Sequence, residues 1–209
     1  MSIRTDRFIA TPAAPMSVAP ITLAGNFVRL EPLSLDHLDQ LCAVGLDDEL
    51  WRFTVSFVRT REDMQAYLAA ALKEQAEGTA LPFATCDIAS GQAVGSTRFG
   101  NIDKHNRRLE IGWTWVARPW QRTAINTEAK YLMLSHAFET LGCLRIEFKT
   151  DMLNERSRQA ILRLGAHEEG IFRNHMITSS GRVRNSAYYS IIDAEWPEVK
   201  HNLQEKLAR

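Results

Sequence analysis

The clearest signal in this sequence is a change of hydrophobic period between Leu109 and Leu141. Residues 109–116 mix β-branched and aromatic side chains with partial alternation, which predicts a strand. Pro119 interrupts that strand, because proline lacks the backbone N–H that a β-ladder needs. From Ile125 onward, apolar residues recur every three or four positions, which predicts a helix that Gly142 can end.

A strand that runs through a short polar loop into a helix leaves backbone N–H groups of the first helical turn unpaired. Those donors and the positive end of the helix dipole form a site suited to a phosphate group. Arg118 and Arg122 add positive charge beside it. An ordinary β-loop-α connection without a ligand would show the same pattern, so these residues alone leave both interpretations open.

Shorter strands and helices surround this segment. The apolar patterns predict strands over residues 26–33, 82–88, 93–102, 144–150, 170–177 and 183–192, and helices after Ser34 and over residues 61–77, 155–164 and 195–207. The strands on either side of the central helix should lie parallel, because a crossover helix separates them. Residues 51–58 carry few helix signals, and their aromatic side chains either line a cleft or close the end of the core.

Several short motifs follow one another in the order and spacing of a known family. Gln121-x-x-Ala124-x-Asn126 is similar to the acyl-CoA loop of the GNAT N-acetyltransferases, whose usual form is Gln/Arg-x-x-Gly-x-Gly/Ala. The residues just before and after the loop, Glu110-Ile111-Gly112-Trp113 and Thr127-Glu128-Ala129, resemble the strand and the helix start of the ribosomal-protein (Rim-type) branch. Asn154-Glu155-Arg156-Ser157 and the segment from Leu162 to Gly170 resemble that branch's N-x-x-S … L-G-F-x-x-E-G segment. The resemblance extends over roughly residues 26–193.

This resemblance implies an α/β (α+β) GNAT fold, with a mixed, mostly antiparallel central sheet, a splayed parallel strand pair and flanking helices. It implies one acetyltransferase domain over residues 26–209. The implied reaction transfers an acetyl group from acetyl-CoA to a primary amine, at a protein N-terminus or on a small molecule, by direct attack and without a metal. The alternative is a GNAT-fold module that binds CoA or a peptide without catalysis. A homodimer is compatible with both.

The resemblance assigns two residues to catalysis. Glu110 is the candidate general base, directly or through water. With a purely structural role it would be an exposed strand charge paired with Arg107 or Arg98. Ser157 would lie near the CoA sulfur and protonate the departing thiolate, or it forms only local hydrogen bonds. Asn154 is both a predicted helix cap and a predicted CoA contact.

The predicted CoA-binding residues lie mainly on the loop. Ala124, Asn126 and Arg122 stand where the family usually has glycine or a small residue, although Asn tolerates the left-handed region better than most residues. Glycine permits φ > 0 and close approach of a ligand, so we expect a retained but altered loop. The full predicted set is Trp115, Val116, Gln121, Arg122, Thr123, Ala124, Ile125, Asn126, Thr127 and Asn154.

Several other polar residues have competing interpretations. Strand alternation sends Tyr188 and Tyr189 to opposite faces, so one of them should face the cleft. His136 falls near the apolar stripe of the central helix and is interpreted as a core histidine. Glu128 is interpreted as a carboxylate of the first helical turn that the helix dipole stabilises. The basic turn at residues 104–108 is interpreted as a solvated hairpin tip, and the alternative is that its positive charges attract a phosphate or an acidic acceptor.

Composition narrows the function classes. Lys plus Arg and Asp plus Glu both total 25 among 209 residues, so no net charge favours nucleic acid or a membrane surface. The three scattered cysteines lack metal-site spacing and fit a reducing cytoplasm. Residues 1–25, rich in Ala, Pro, Ser and Thr, predict a flexible arm. Pro12, Pro15 and Pro20 interrupt what would otherwise resemble a signal peptide.

Overall fold

The computed structural model describes residues 16–178 and 180–208, and an eight-stranded sheet forms their framework. The strands are β1 (Leu23–Ala24), β2 (Val28–Pro32), β3 (Leu81–Asp87), β4 (Ala93–Asp103), β5 (Arg108–Val116), β6 (Arg145–Asp151), β7 (His167–Ile177) and β8 (Val183–Ile192). The helices are α1 (Leu38–Gly45), α2 (Asp48–Trp51), α3 (Arg61–Ala76), α4 (Ala124–Ser135), α5 (Glu155–Leu164) and α6 (Trp196–Leu207). The strands lie in the order β1-β2-β3-β4-β5-β6-β8-β7.

The β5–β6 pair is parallel, which confirms the prediction from the crossover helix, and the other neighbouring pairs are antiparallel. Its ladder spans three residue pairs and ends at Glu110 opposite Glu147. Beyond Glu110, β5 has no partner on β6, whereas β6 stays paired with β8 to its end. A bulge against β4 bends β5 near Trp113, whose φ is 48°. The two strands therefore separate and open a cleft.

Two hydrophobic cores cover opposite faces of the sheet. Helices α4, α5 and α6 pack on one face, which we call the α4 side. Helices α1 and α3 pack on the other, which we call the α3 side. Ile146 and Phe148 of β6 belong to the α4-side core, so Lys149 and its cross-strand neighbour Tyr188 face the α3 side. No described residue of β6 or β8 belongs to the α3-side core, and polar side chains line that part of the sheet.

Several element ends differ from the sequence prediction. A 3₁₀ turn, Leu35–His37, precedes α1. The sequence does not predict α2, which Asp47 caps by accepting from the N–H of Glu49 at 3.1 Å. The central helix begins at Ala124 and ends in a π-helical turn over His136–Thr140. Strand β7 begins at residue 167, three residues before the predicted start.

The aromatic stretch at residues 51–58 mainly closes the α3-side core. Trp51 and Val58 are buried there. The Trp51 ring packs against Tyr67 and Trp115, with ring centroids 5.2 and 5.4 Å apart. Phe57 is exposed. The core-closing interpretation therefore holds for Trp51 and Val58.

The structure describes the predicted N-terminal arm only from Met16 onward. Met16 is buried in the α4-side core, and β1 pairs with β2. This part of the arm packs on the domain. Residues 1–15, with most of the stretch that resembles a signal peptide, lie outside the described residues.

The three cysteines are unpaired, and two of them are buried. Burial raises the pKa of Cys86 to about 11 and that of Cys143 to about 12. Both thiols therefore stay protonated at neutral pH, as expected for core residues. Within the described residues, no helix has the length and apolar character needed to cross a bilayer.

Candidate active site

The start of α4 meets the open edge of β5 at the mouth of the cleft. The Thr123 hydroxyl caps the helix by accepting from the N–H of Ile125 at 3.3 Å. The N–H groups of Ala124 and Asn126 have no partner within the helix, and no described residue accepts a hydrogen bond from them. These donors lie at the positive end of the helix dipole, so the local geometry fits a phosphate group.

Arg122 is the loop residue with a left-handed backbone, at φ 62°. Ala124 and Asn126 lie inside α4, where no left-handed conformation is required. Of these three residues, Arg122 is therefore the one whose backbone is strained. The strain costs about 1 kcal/mol. The Arg122 side chain is exposed and makes no hydrogen bond or ion pair with the described residues, so its charge is available to an anion.

Arg118 does not add free charge to the loop, so that prediction is wrong. Its guanidinium contacts both carboxylate oxygens of Asp47, at 2.5 and 3.0 Å. This bidentate pair neutralises Arg118 and fastens the loop to the cap of α2. Sequence reasoning missed it because Asp47 lies 71 residues earlier in the chain.

Gln121 bridges two walls of the cleft. Its amide donates to the carbonyl of Val116 at 2.8 Å and accepts from Arg156 of α5 at 2.9 Å. The Trp115 ring packs into the α3-side core, and the Val116 side chain belongs to the α4-side core. Trp115 and Val116 can therefore offer mainly backbone groups to a ligand in the cleft.

Asn154 and Ser157 lie at the start of α5, which follows β6. Asn154 Oδ1 accepts from the N–H of Ser157 at 3.1 Å, which confirms the predicted helix cap. The half-buried Ser157 hydroxyl makes no hydrogen bond with the described residues. Its roles, and those of Asn154, toward CoA stay predictions.

Glu110 is buried on the α3 side, at the point where β5 and β6 separate. Its Oε2 accepts from Lys149 Nζ at 2.9 Å and from Asn101 Nδ2 at 2.7 Å. The structural alternative, an exposed charge paired with an arginine, is therefore wrong. Oε1 makes no hydrogen bond with the described residues and lies over Gly112, where an added Cβ would come within 2.7 Å of it. One carboxylate oxygen is thus held and the other is available.

Aromatic contacts hold Lys149 against Glu110. The Lys149 Nζ lies 5.4 Å from the ring centroid of Trp113, and Arg98 lies 4.9 Å from the same ring. Gly100 makes room for this ring, since a Cβ there would come within 2.3 Å of it. Such cation–π contacts contribute about 0.5–2 kcal/mol each, so Lys149 has a fixed position.

Tyr188 is the tyrosine that faces the α3 side with Lys149. Its hydroxyl contacts His175 Nε2 at 3.3 Å, and its ring stacks on Phe172 with centroids 4.3 Å apart. Burial raises the pKa of Tyr188, so its phenol stays protonated and suits a donor better than a base. Tyr189 is fully buried on the α4 side and accepts from Arg158 Nε at 2.9 Å.

Lys130 lies on the α4 side and belongs to none of the sequence motifs described above. Its Nζ is buried and donates to Thr97 Oγ1 at 3.0 Å and Thr114 Oγ1 at 2.7 Å. No carboxylate among the described residues pairs with it, and burial lowers the pKa of Lys130 to about 7. Thr114 is exposed on the part of β5 without a β6 partner. The amine is therefore separated from the cleft by one hydroxyl.

Glu128 has a different structural role from the predicted one. It lies beyond the first turn of α4, and its buried carboxylate accepts from the backbone N–H groups of Asn26, Phe27 and Val28 at 2.6–2.8 Å. Gly25 is required beside it, because a Cβ there would come within 2.3 Å of the carboxylate carbon. Glu128 therefore fastens the start of β2 to α4.

His136 is buried and stacks on Phe99 with ring centroids 6.2 Å apart. Burial lowers its pKa, so the ring is neutral at pH 7. This agrees with its interpretation as a core histidine.

One cluster, formed by Glu31, His37 and Cys86, has ligand atoms close enough for a metal ion. The ring of His37 is already engaged at both nitrogens, with the N–H of Ser34 at 3.2 Å and Glu31 Oε2 at 3.3 Å. The Cys86 thiol is protonated, as noted above, which disfavours coordination. The hydrogen bonds of His37 with Ser34 and Glu31 explain this cluster as part of a helix cap.

The comparisons with known proteins all point to one family. The sequence matches the acetyltransferase (GNAT) domain family over residues 28–167. YdaF of Bacillus subtilis, whose name assigns it provisionally as a ribosomal N-acetyltransferase, is 33% identical over 110 residues, which cover 53% of this chain and 59% of that protein. The match thus spans less than two thirds of YdaF. The N-acetyltransferase p20 of Bacillus licheniformis, itself uncharacterised, is 24% identical over 180 residues, covering 84% of this chain and 98% of p20.

Solved structures share the whole architecture. A GCN5-related N-acetyltransferase from Brucella melitensis superposes with a TM-score of 0.86 at 34% identity, covering 92% of this chain and 88% of that one. Mycobacterium smegmatis RimJ, solved in complex with CoA-disulfide, shares the fold with a TM-score of 0.76 at 24% identity, covering 90% and 95% of the two chains. Since the family match covers more than half of the 209 residues, the chain belongs to the GNAT family of acetyltransferases.

Proposed function

We propose that the protein transfers an acetyl group from acetyl-CoA to a primary amine by direct attack. The observation that carries this proposal is the separation of β5 and β6 immediately after Glu110. The separation puts the α4 start beside the cleft and leaves a free carboxylate oxygen on the α3 side. Acetyl-CoA supplies the activated thioester, and the unpaired N–H groups at the start of α4 together with Arg122 suit its diphosphate.

Glu110 is the proposed general base. An amine with a pKa near 10 is almost wholly protonated at neutral pH, so attack requires a proton acceptor. Lys149 and Asn101 hold Oε2, which orients Oε1 to take that proton directly or through one water. The hydroxyl of Ser157, free of other partners, can give a proton to the thiolate product. No metal is needed for these steps.

The acceptor is either a protein N-terminal amine or a small amine. The naming of YdaF as a ribosomal N-acetyltransferase supports the first choice. The open polar surface on the α3 side, formed by β6 and β8, is compatible with either acceptor. A homodimer stays a prediction, and light scattering of the purified protein would check it.

A thiol-release assay with purified protein and acetyl-CoA, across small amines and N-terminal peptides, tests the proposal. We expect turnover with at least one acceptor. Isothermal titration should show one acetyl-CoA bound per chain and weaker binding of pantetheine fragments that lack the phosphates. Binding of acetyl-CoA without turnover on any amine would instead support the non-catalytic module. No binding heat at millimolar acetyl-CoA would contradict both.

A further inference from the structure

A buried arginine without an ion pair lies on the α3 side of β8. Arg184 is 5% exposed. The only hydrogen bond of its side chain with the described residues runs from Nε to Ser186 Oγ at 3.0 Å. A guanidinium carries five N–H donors in a planar fork, so the two terminal nitrogens have unused donors. Burying a charge in this way is costly, which makes Arg184 a candidate for ligand recognition.

The acids nearest to Arg184 are already engaged elsewhere. Asp151 pairs with Arg182 through Oδ2 and accepts from the N–H of Leu153 through Oδ1 at 2.9 Å. Glu110 pairs with Lys149. The positive charge of Arg184 is therefore left uncompensated by a direct contact, which favours an anion supplied from outside.

The terminal nitrogens of Arg184 keep access to solvent. Within the described residues, the fully enclosed side-chain nitrogen and oxygen atoms that lack a partner are Gln75 Oε1, Trp115 Nε1 and Ser135 Oγ. The two terminal nitrogens of Arg184 are not among them, although they also lack partners. The guanidinium is therefore buried but not fully enclosed.

A bulge in β7 lies opposite this arginine and lines an open cavity. Phe172 lies opposite Ser186 and Met176 opposite Arg184, so three residues of β7 face the single residue Asn185. The bulge turns His175 toward β8, where its Nδ1 lies 3.1 Å from Ser186 Oγ. Bulges often redirect side chains beside functional sites.

The cavity is an open depression along β7 and β8. Its volume is about 800 Å³, and its lining includes Phe172, Arg173 and His175. His175 contacts both Tyr188 and Ser186, and Ser186 accepts from Arg184 Nε, so one side chain separates Arg184 from the cavity lining. Burial lowers the pKa of His175, with smaller contributions from Lys149 and Arg184. The His175 ring is therefore neutral at pH 7, and the arginines of this region are Arg173, which lines the cavity, and the buried Arg184.

We infer that Arg184 is the anion-recognition residue of the acceptor site, and that the preferred acceptor carries a carboxylate in addition to the amine that is acetylated. The planar fork of a guanidinium matches a carboxylate in a bidentate contact. A singly charged carboxylate suits the site better than a phosphate dianion, because Glu110 and Asp151 lie nearby. This inference rests on the proposed acetyl transfer.

Matched acceptors test the inference. Each pair consists of a free amino acid and its amide, or of N-terminal peptides with Glu or Gln at the second position. The value of kcat/KM is measured for both members with wild type, Arg184→Gln and Arg184→Lys. The ratio between variants cancels differences in amine basicity. We expect wild type to prefer the carboxylate member of at least one pair by 10-fold or more, and Arg184→Gln to reduce that preference to within 2-fold.

Two further variants and a stability measurement serve as controls. Arg163→Gln, an exposed arginine on α5, should leave the preference unchanged. Arg184→Lys should keep part of it, because lysine retains charge without the fork. Thermal melting of each variant excludes misfolding, and removal of an unpaired buried charge should not destabilise the fold. Wild type without a carboxylate preference, or a preference that persists in Arg184→Gln, would overturn the inference while acetyl transfer stands.

If wild type acetylates no member of any pair, acetyl transfer fails for these acceptors, and the same pairs are titrated calorimetrically in the presence of CoA. Carboxylate-dependent binding heat that disappears in Arg184→Gln would support the anion site on its own. Equal heats for carboxylate and amide members would overturn it.

Discussion

The two sides of the cleft between β5 and β6 use buried charge in opposite ways. On the α4 side, the Lys130 amine meets only threonine hydroxyls, and α4 presents neutral N–H donors. On the α3 side, Glu110 and Lys149 form a buried pair, and Arg184 lies unpaired farther along β8. The first side suits a ligand that brings its own negative charge. The second side suits proton transfer and recognition of a charged acceptor.

Buried carboxylates show the same contrast. Glu128 on the α4 side gives its oxygens to three backbone N–H groups. Glu110 on the α3 side keeps Oε1 free. A carboxylate whose oxygens are all engaged stabilises the fold, whereas one with a free oxygen can exchange protons. Both carboxylates are buried, and the number of engaged oxygens is what distinguishes Glu128 from the proposed base Glu110.

The largest effect on the α4 side should come from Lys130→Met. The pKa of Lys130 is about 7 in the folded chain and near 10.4 in an unfolded one. Between these values the unfolded chain holds a proton that the folded chain has lost, so wild-type stability should rise with pH from about 7 to 10. The rise is at most about 1.4 kcal/mol per pH unit, and below pH 7 the full cost of the buried charge remains.

Urea unfolding at pH 7, 8, 9 and 10 measures this difference. The Lys130→Met variant should lack this rise, and it should therefore exceed wild type most at pH 7. The exposed Lys104→Met is the matched control and should follow wild type. Parallel pH slopes for wild type and Lys130→Met would show that Lys130 is charged in the folded state.

Glu128→Gln should lower the free energy of unfolding, which tests the structural role of Glu128. An amide can accept through one oxygen only and turns its NH₂ toward backbone donors, so we expect a loss of about 2–4 kcal/mol in the free energy of unfolding. Glu77→Gln, at an exposed helix end, should change stability by less than about 0.5 kcal/mol. A Glu128→Gln variant as stable as the control would remove the proposed fastening of β2 to α4.

Arg122→Gly and Arg122→Gln should separate backbone strain from charge, with a smaller effect. Glycine removes the left-handed strain and should be more stable than the glutamine variant by up to about 1 kcal/mol. Both variants lose one cation, so both should bind acetyl-CoA more weakly, most clearly at low salt. Calorimetric titration at two salt concentrations checks this. Equal affinity in all three proteins would place the diphosphate away from Arg122.

Local patterns predicted much of this fold. The period change at residues 109–141 located β5, the loop and α4, and the crossover rule gave the parallel pair. Alternation showed that Tyr188 and Tyr189 diverge, but only the β6–β8 register shows which one faces Lys149. The residue Lys130 lies three and four positions before Met133 and Leu134 on the buried face of α4, a signal that was available in the sequence.

Long-range pairs escaped prediction. Arg118 meets Asp47 across 71 residues, and Glu128 meets the backbone of Val28 across 100 residues. Charged residues have many possible partners of opposite sign, and only the fold selects one. The lack of an ion pair at Arg184 also escapes prediction from the sequence, because it depends on the pairing of Asp151 with Arg182.

The pH dependence of turnover by Glu110→Gln tests the central claim most directly. With an acceptor found in the thiol-release assay, wild-type kcat/KM should show an acidic limb that the variant loses. The variant's kcat should fall about 10²- to 10⁴-fold with little change in acetyl-CoA affinity. Glu147→Gln, on the same face but paired with Arg145 and Arg108, is the matched control and should fall less than 10-fold. Unchanged turnover and an unchanged acidic limb in Glu110→Gln would contradict the assignment of Glu110 as the base.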